Sequence, residues 1–124
     1  MRMRHKPYAQ PELDACDFYV KNPVENLGHW YTAFETPAPL HLELGCGKGG
    51  FIAALAGQSP NINYIAIDLT PKVLIVAKRK IEAVYNQLAR SVSNVKILTF
   101  DIARIAEMMN EADAVDRIYI NFCN

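Results

Sequence analysis

Leu40-His41-Leu42-Glu43-Leu44, then Gly45-Cys46-Gly47-Lys48-Gly49-Gly50, then Phe51-Ile52-Ala53-Ala54-Leu55-Ala56-Gly57-Gln58 is the stretch on which the fold turns. The first five residues alternate around a β-branch-free apolar frame and predict a strand. The six that follow predict a tight glycine turn, and Phe51–Gln58 predicts a helix that Pro60 stops. Strand, glycine turn and helix in that order form a cradle in which a ligand can approach the main chain.

Working outward, the same alternation continues. Ile62–Ile67 predicts a second strand. Thr70-Pro71 is a cap followed by proline at the first helical position, and opens a helix with Val73, Leu74, Ala77, Ile81, Val84, Tyr85 and Leu88 on one stripe. Its other face carries Lys72, Lys78, Arg79 and Lys80, read here as an ordinary solvated face. Val95–Phe100 predicts a third strand, Ile102–Asn110 a helix and Asp116–Phe122 a fourth strand. Such alternation predicts a parallel sheet in the order 3-2-1-4, with helices on both faces. Before it, residues 1–22 show little periodicity, while Asn22-Pro23 and the spacing of Leu27, Trp30, Tyr31 and Phe34 predict a short helix over 23–34. We therefore divide the chain into a basic arm plus short helix, 1–39, and a sheet-forming part, 40–124.

The glycines fit two patterns. Gly45-x-Gly47-x-x-Gly50 matches the dinucleotide fingerprint, and the same residues read Glu43-x-Gly45-x-Gly47-x-Gly49. Charge separates the two readings. A carboxylate two residues before the turn repels a pyrophosphate and attracts a cation. S-adenosylmethionine, with its ammonium and sulfonium, suits Glu43 better than NAD does. Asp68 closes the second strand about 20 residues after the glycines, where an acid can accept both ribose hydroxyls. Asp101 closes the third, where an adenine edge would lie. Each of the two could instead be a helix cap. Three acids at three successive strand ends favour one shared site.

Composition excludes several classes. The 124 residues carry 13 Lys plus Arg against 13 Asp plus Glu, and 51% are hydrophobic, which is a globular balance with no net field for nucleic acid. A local basic patch remains open, in Arg2, Arg4 and Lys6. No apolar run approaches the ~20 residues of a membrane helix, and Met1–Gln10 lacks the apolar segment of a secretory signal. Three scattered cysteines, Cys16, Cys46 and Cys123, predict reduced thiols and no zinc site, and a cytoplasmic protein. Trp30, Tyr31 and Phe34 read as packing residues, and His41 as a core histidine.

Taken together, Met1-Arg-Met-Arg-His-Lys-Pro7, Pro11-Glu12-Leu13, the stretch His41–Ile52, Tyr64-Ile-Ala-Ile-Asp68 and Val115-Asp-Arg-Ile-Tyr-Ile-Asn-Phe122 resemble the bacterial tRNA (guanine-N7-)-methyltransferases. The resemblance covers the whole chain. It implies a Rossmann-like S-adenosylmethionine-dependent methyltransferase fold, truncated to about four of the family's roughly seven parallel strands. It implies a methyl transfer to N7 of guanosine in the tRNA variable loop. By the same resemblance Glu43, Gly45, Gly47, Gly49, Asp68 and Asp101 hold the cofactor, and Arg2, Arg4 and Lys6 contact RNA. Asn124 stands where the family usually has an acid that touches the cofactor and handles the guanine. An amide there cannot ionise but can hydrogen-bond. The family's later lysine-rich stretch and guanine-contacting segment have no counterpart in these 124 residues, so the chain by itself is expected to be inactive. The last strand is expected to leave an open apolar edge that invites another chain. The competing readings are an NAD(P)-binding module and a non-catalytic fragment that binds cofactor or RNA.

Overall fold

The structure is a computed structural model and describes residues 7–121. Arg2, Arg4, Lys6 and Asn124, together with Cys123, lie outside the described residues.

Four parallel strands form one sheet in the order β3-β2-β1-β4: β1 Leu40–Leu44, β2 Asn63–Asp68, β3 Val95–Thr99 and β4 Val115–Ile120. The order is the expected one. β1 has the expected bounds, and those of β2, β3 and β4 differ from expectation by one or two residues. Between β1 and β4 the direction of winding reverses: β2 and β3 lie on one side of β1 and β4 on the other. Open α/β sheets take their ligands at such a reversal, outside the strands' carboxyl ends.

One face of the sheet is covered by three α-helices: α1 Ala9–Asp14, α2 Gly50–Gln58 and α3 Pro71–Gln87. Leu13, Ile52, Ala56, Leu74, Ala77, Ile81 and Tyr85 from these helices meet Tyr64, Ala66, Val95 and Ile97 from the strands in one buried cluster. Each fully buried Ile or Leu there contributes about 2 kcal/mol of apolar transfer. Asn94, just before β3, organises the lower end of this layer. It accepts a short hydrogen bond from Tyr85 Oη and donates to the carbonyls of Ala56, Ser59 and Ile62.

Helix α1 corrects the expectation that residues 1–22 lack regular structure. Pro11 falls in its first turn, where a missing N–H costs nothing. Glu12 then anchors it to α3, accepting from Lys78 Nζ at 3.0 Å and from Arg79 Nε and Nη2 at 3.0 and 2.6 Å. The Arg79 guanidinium and the Lys78 ammonium hold the Glu12 carboxyl down at about 2. This long-range pairing leaves no periodic trace in a six-residue segment.

The second face is covered by 3-10 helices and loops. The expected helix over 23–34 is two 3-10 turns, Pro23–Asn26 and Trp30–Ala33, and the expected helix after β3 is the 3-10 segment Ile102–Glu107. Gly28, at φ +81°, turns the chain between the first two. Trp30 is fully buried against Phe34, Leu40, Leu42, Ile65, Ile67, Leu98 and Met108, and its indole N–H donates to the Met108 carbonyl at 2.7 Å. Its predicted role as a packing residue holds.

Buried Asp113 explains the interruption. Its carboxylate accepts the backbone N–H of Gly28, Trp30 and Asn110 at 3.0, 2.9 and 2.9 Å. Those amides therefore turn toward one side chain and away from a continuous helix. Asp113→Ala leaves three inward-facing donors without an acceptor and is expected to cost about 2–4 kcal/mol. Asp113→Asn, which keeps one acceptor oxygen, should cost less. Urea midpoints at neutral pH measure both, and equal, negligible losses would refute the account.

Among the described residues β4 is an edge strand, and Ile118 and Ile120 are 54% and 60% exposed.

Candidate functional site

The glycine turn follows β1 at the carboxyl end of the sheet, beside the reversal in strand order. The amides of Gly45 and Cys46 both donate to the Ile67 carbonyl at 2.9 Å, and Gly49 N–H closes on the Cys46 carbonyl at 3.1 Å. Gly45, Gly47 and Gly49 have φ of +73°, +56° and +83°, whereas Gly50 has ordinary helical backbone and begins α2. The left-handed backbone thus falls on the alternate glycines Gly45, Gly47 and Gly49. An added Cβ at Gly49 would lie 2.5 Å from Ala77 Cα and Cβ, and one at Gly45 3.3 Å from the Asn121 carbonyl. At Gly50 it would meet only the end of the Lys80 side chain, 4.0 Å away.

Glu43 projects from β1 beside this turn and is 1% exposed. One carboxylate oxygen, Oε2, accepts a short hydrogen bond from Asn121 Nδ2. The other, Oε1, is buried without a partner among the described residues. Burial raises the carboxyl above the usual carboxylate range, the Asn121 amide opposes that, and nearby Asp68 adds to it. A buried acid with one idle oxygen is costly unless something cationic or protonated completes it. That is an observation in favour of a ligand with a positive charge at this point.

Asp68, at the end of β2, is joined to the same turn. Its Oδ2 accepts Gly47 N–H at 2.8 Å and its Oδ1 accepts Leu69 N–H at 2.8 Å. Oδ1 also accepts the longer Thr70 N–H at 3.5 Å, so it is Oδ2 that retains a lone pair for a ligand hydroxyl. Leu69 follows it with its side chain 62% exposed, an apolar surface next to an acid, which sequence inspection passed over. Asp101 stands at the next strand end, exposed, and its Oδ1 accepts Ala103 N–H at 3.0 Å. The cap expected as its alternative role is therefore present, and a carboxylate oxygen remains open to solvent. Glu43, the glycines and Asp68 are brought together directly, with Asp101 one strand further out.

The basic face of α3 is partly consumed. Lys78 and Arg79 are committed to Glu12, and Lys78 also pairs with Glu82 at 3.1 Å. The expectation of an ordinary solvated face is corrected at Lys78, whose side chain is only 12% exposed and sits between two carboxylates, because α1 packs over this end of the face. His41 lies between the rings of Tyr64 and Tyr119, at centroid distances of 5.6 and 6.0 Å, and its Nδ1 is buried without a hydrogen bond. Burial and the Arg117 charge lower its pKa. Among the described residues no cluster of His, Cys, Asp or Glu is arranged to hold a metal, and no helix is long and apolar enough to cross a membrane.

A family model described as "Putative methyltransferase" matches residues 37–124, the whole of the sheet. The chain belongs to this methyltransferase family. Among curated relatives of this methyltransferase-family chain, the tRNA (guanine-N(7)-)-methyltransferase of Clostridium perfringens (strain 13 / Type A) is 53% identical over 125 residues, covering 100% of this chain and 57% of that protein. The protein of the same name from Clostridium beijerinckii is 53% identical over 124 residues, again covering 100% and 57%. The chain therefore spans a little over half the length of the curated relatives it matches. Among solved structures, one described as an antibiotic-related methyltransferase superposes with a TM-score of 0.50 at 25% identity, over 69% of this chain and 41% of that one. The fold is thus the Rossmann-like methyltransferase fold, represented by four of its strands.

Proposed function

We propose that the protein to which this chain belongs transfers a methyl group from S-adenosylmethionine to N7 of guanosine in the variable loop of tRNA. The observation that carries the cofactor is the idle, buried Oε1 of Glu43 beside a turn of left-handed glycines. The relatives' printed activity, at 53% identity, supports the substrate.

The residues present fit the cofactor. When bound, S-adenosylmethionine supplies an electrophilic methyl on a sulfonium. Glu43 would take its ammonium, a cation that completes the unpartnered oxygen. The Gly45–Gly49 turn, which has no Cβ at its tight positions, would let the ligand lie against the main chain. Asp68 would accept a ribose hydroxyl with the remaining lone pair of Oδ2, and Leu69 offers an apolar surface beside it. Asp101 would face the base at the adjoining strand end. Asn124, outside the described residues, is assigned to hydrogen-bond the cofactor or the guanine, and Arg2, Arg4 and Lys6 to RNA phosphates.

Guanine N7 has a lone pair and no proton to lose. The chain's task is therefore to bind, orient and exclude water, and no general base is demanded. An amide at position 124 is compatible with that.

The test uses the full-length protein, tritiated S-adenosylmethionine and unmodified tRNA. Label should enter tRNA and map to one guanosine by the strand scission that N7-methylated guanine permits. Calorimetry should show S-adenosylhomocysteine binding and NAD not. Tight NAD binding without S-adenosylhomocysteine binding would overturn the reading. Residues 1–124 alone are expected to bind the cofactor product without methylating tRNA.

A further inference from the structure

The contact between Asn121 and Glu43 ties the end of β4 to β1 at the reversal in strand order, from residues 78 positions apart. Asn121 follows β4, and three features fix it in place. Its backbone N–H reaches toward the Leu44 carbonyl at 3.5 Å. Its own carbonyl lies where a Cβ on Gly45 would come within 3.3 Å. Its carboxamide N–H₂ donates to Glu43 Oε2. The side chain therefore selects which carboxylate oxygen is engaged and leaves Oε1 for the ligand. We propose that Asn121 is a positioning residue for the cofactor: by donating to Oε2 it orients the Glu43 carboxylate and leaves Oε1 to receive the ligand's ammonium. This rests on the cofactor reading given under the proposed function.

An amide suits the task for a definite reason. It donates to the charged form of a carboxylate and brings no charge of its own to a buried place. An acid at 121 would force two carboxylates to share a proton, and an aliphatic side chain would leave both Glu43 oxygens idle. The surrounding titratable groups do not replace it. Asp68, at the end of β2, pushes Glu43 toward the protonated form. His41 lies two residues earlier on β1, with Tyr119 and Arg117 opposite on β4 in register with Glu43 and His41. No hydrogen bond from His41, Tyr119 or Arg117 to Glu43 is present among the described residues.

The experiment compares full-length wild type, Asn121→Ala and Asn121→Asp. S-adenosylhomocysteine affinity is measured by calorimetry from pH 5 to 9. The Glu43 carboxyl carbon is titrated by NMR without ligand. Asn121→Ala is expected to weaken binding at pH 7 by about 10- to 100-fold, with the acid limb of the binding curve moved to higher pH. In Asn121→Asp the loss should be larger at pH 8 and shrink as pH falls. In both variants the NMR midpoint of Glu43 should rise. A purely structural asparagine would lower affinity equally at every pH and leave the Glu43 midpoint in place, and either result overturns the proposal. The NMR titration needs no ligand. If the wild type binds no S-adenosylhomocysteine, the cofactor reading fails, while the pairing of Asn121 with Glu43 is still decided by the midpoints.

Discussion

Replacing Glu43 by glutamine should all but abolish cofactor binding while leaving the unliganded fold intact or firmer. Removing one member of a buried, hydrogen-bonded charge pair costs about 2–5 kcal/mol, or roughly 30- to several-thousand-fold in affinity. Glutamine cannot balance an ammonium. It also meets the Asn121 amide with one carbonyl oxygen only. The stability effect has the opposite sign because the idle Oε1 is a burden in the empty site. Its pH dependence follows from the raised pKa of Glu43. Between the ordinary carboxylate value and that raised value, the folded chain holds more protons than the unfolded chain. The Glu43 contribution to stability therefore falls as pH rises through that window and is flat above it. The glutamine variant lacks this decline. Affinity for a cationic ligand runs the other way, rising as the carboxylate ionises. Thermal melts at pH 5 and pH 8, beside calorimetric titration with S-adenosylhomocysteine, measure both trends. Undiminished affinity in Glu43→Gln would sink the assignment.

Gly49→Ala should be the most damaging single methyl in the chain. The residue has φ +83°, and the new Cβ would sit 2.5 Å from both Ala77 Cα and Ala77 Cβ. Left-handed backbone costs about 1–2 kcal/mol for a non-glycine residue. Forcing α2 away from α3 adds about 1–3 kcal/mol of overpacking. The sum is a large part of the ~5–15 kcal/mol that holds a domain together. Trimming Ala77 to glycine should rescue little, because its Cα remains in the way. Gly50→Ala, one residue later, is the control: its backbone is helical and its surroundings are open, so its midpoint should stay put or rise slightly. Urea unfolding of the three variants orders them, and similar behaviour of Gly49→Ala and Gly50→Ala would contradict the packing described.

That contrast marks what was legible beforehand. The strand, the glycine turn and the following helix are local patterns, and so are the apolar stripe of α3 and the acids at successive strand ends. Each could be read from its own neighbours. Which glycine is irreplaceable was not local, because the atoms that forbid a side chain at Gly49 belong to Ala77. The same reason hid α1, which depends on Glu12 finding Lys78 and Arg79. It also hid the broken segment 23–34, whose amides answer to Asp113. Asn121 drew no notice as a site residue, since an asparagine ending a strand looks like a turn residue until its partner on β1 is known. Asp101 shows the reverse case: the cap foreseen as its modest alternative is the contact present.

The pairing of β1 with β4 has one more consequence, for the order in which the molecule comes into being. Contacts between residues far apart in sequence carry the largest loop-closure penalty and are made late in folding. Glu43 meets Asn121 across 78 residues, whereas the glycine turn is contiguous with both β1 and α2. A nascent chain therefore carries the glycine turn for about 70 residues of synthesis before the partner of Glu43 is made. The most local motif in the sequence thus belongs to a site completed by one of its least local contacts.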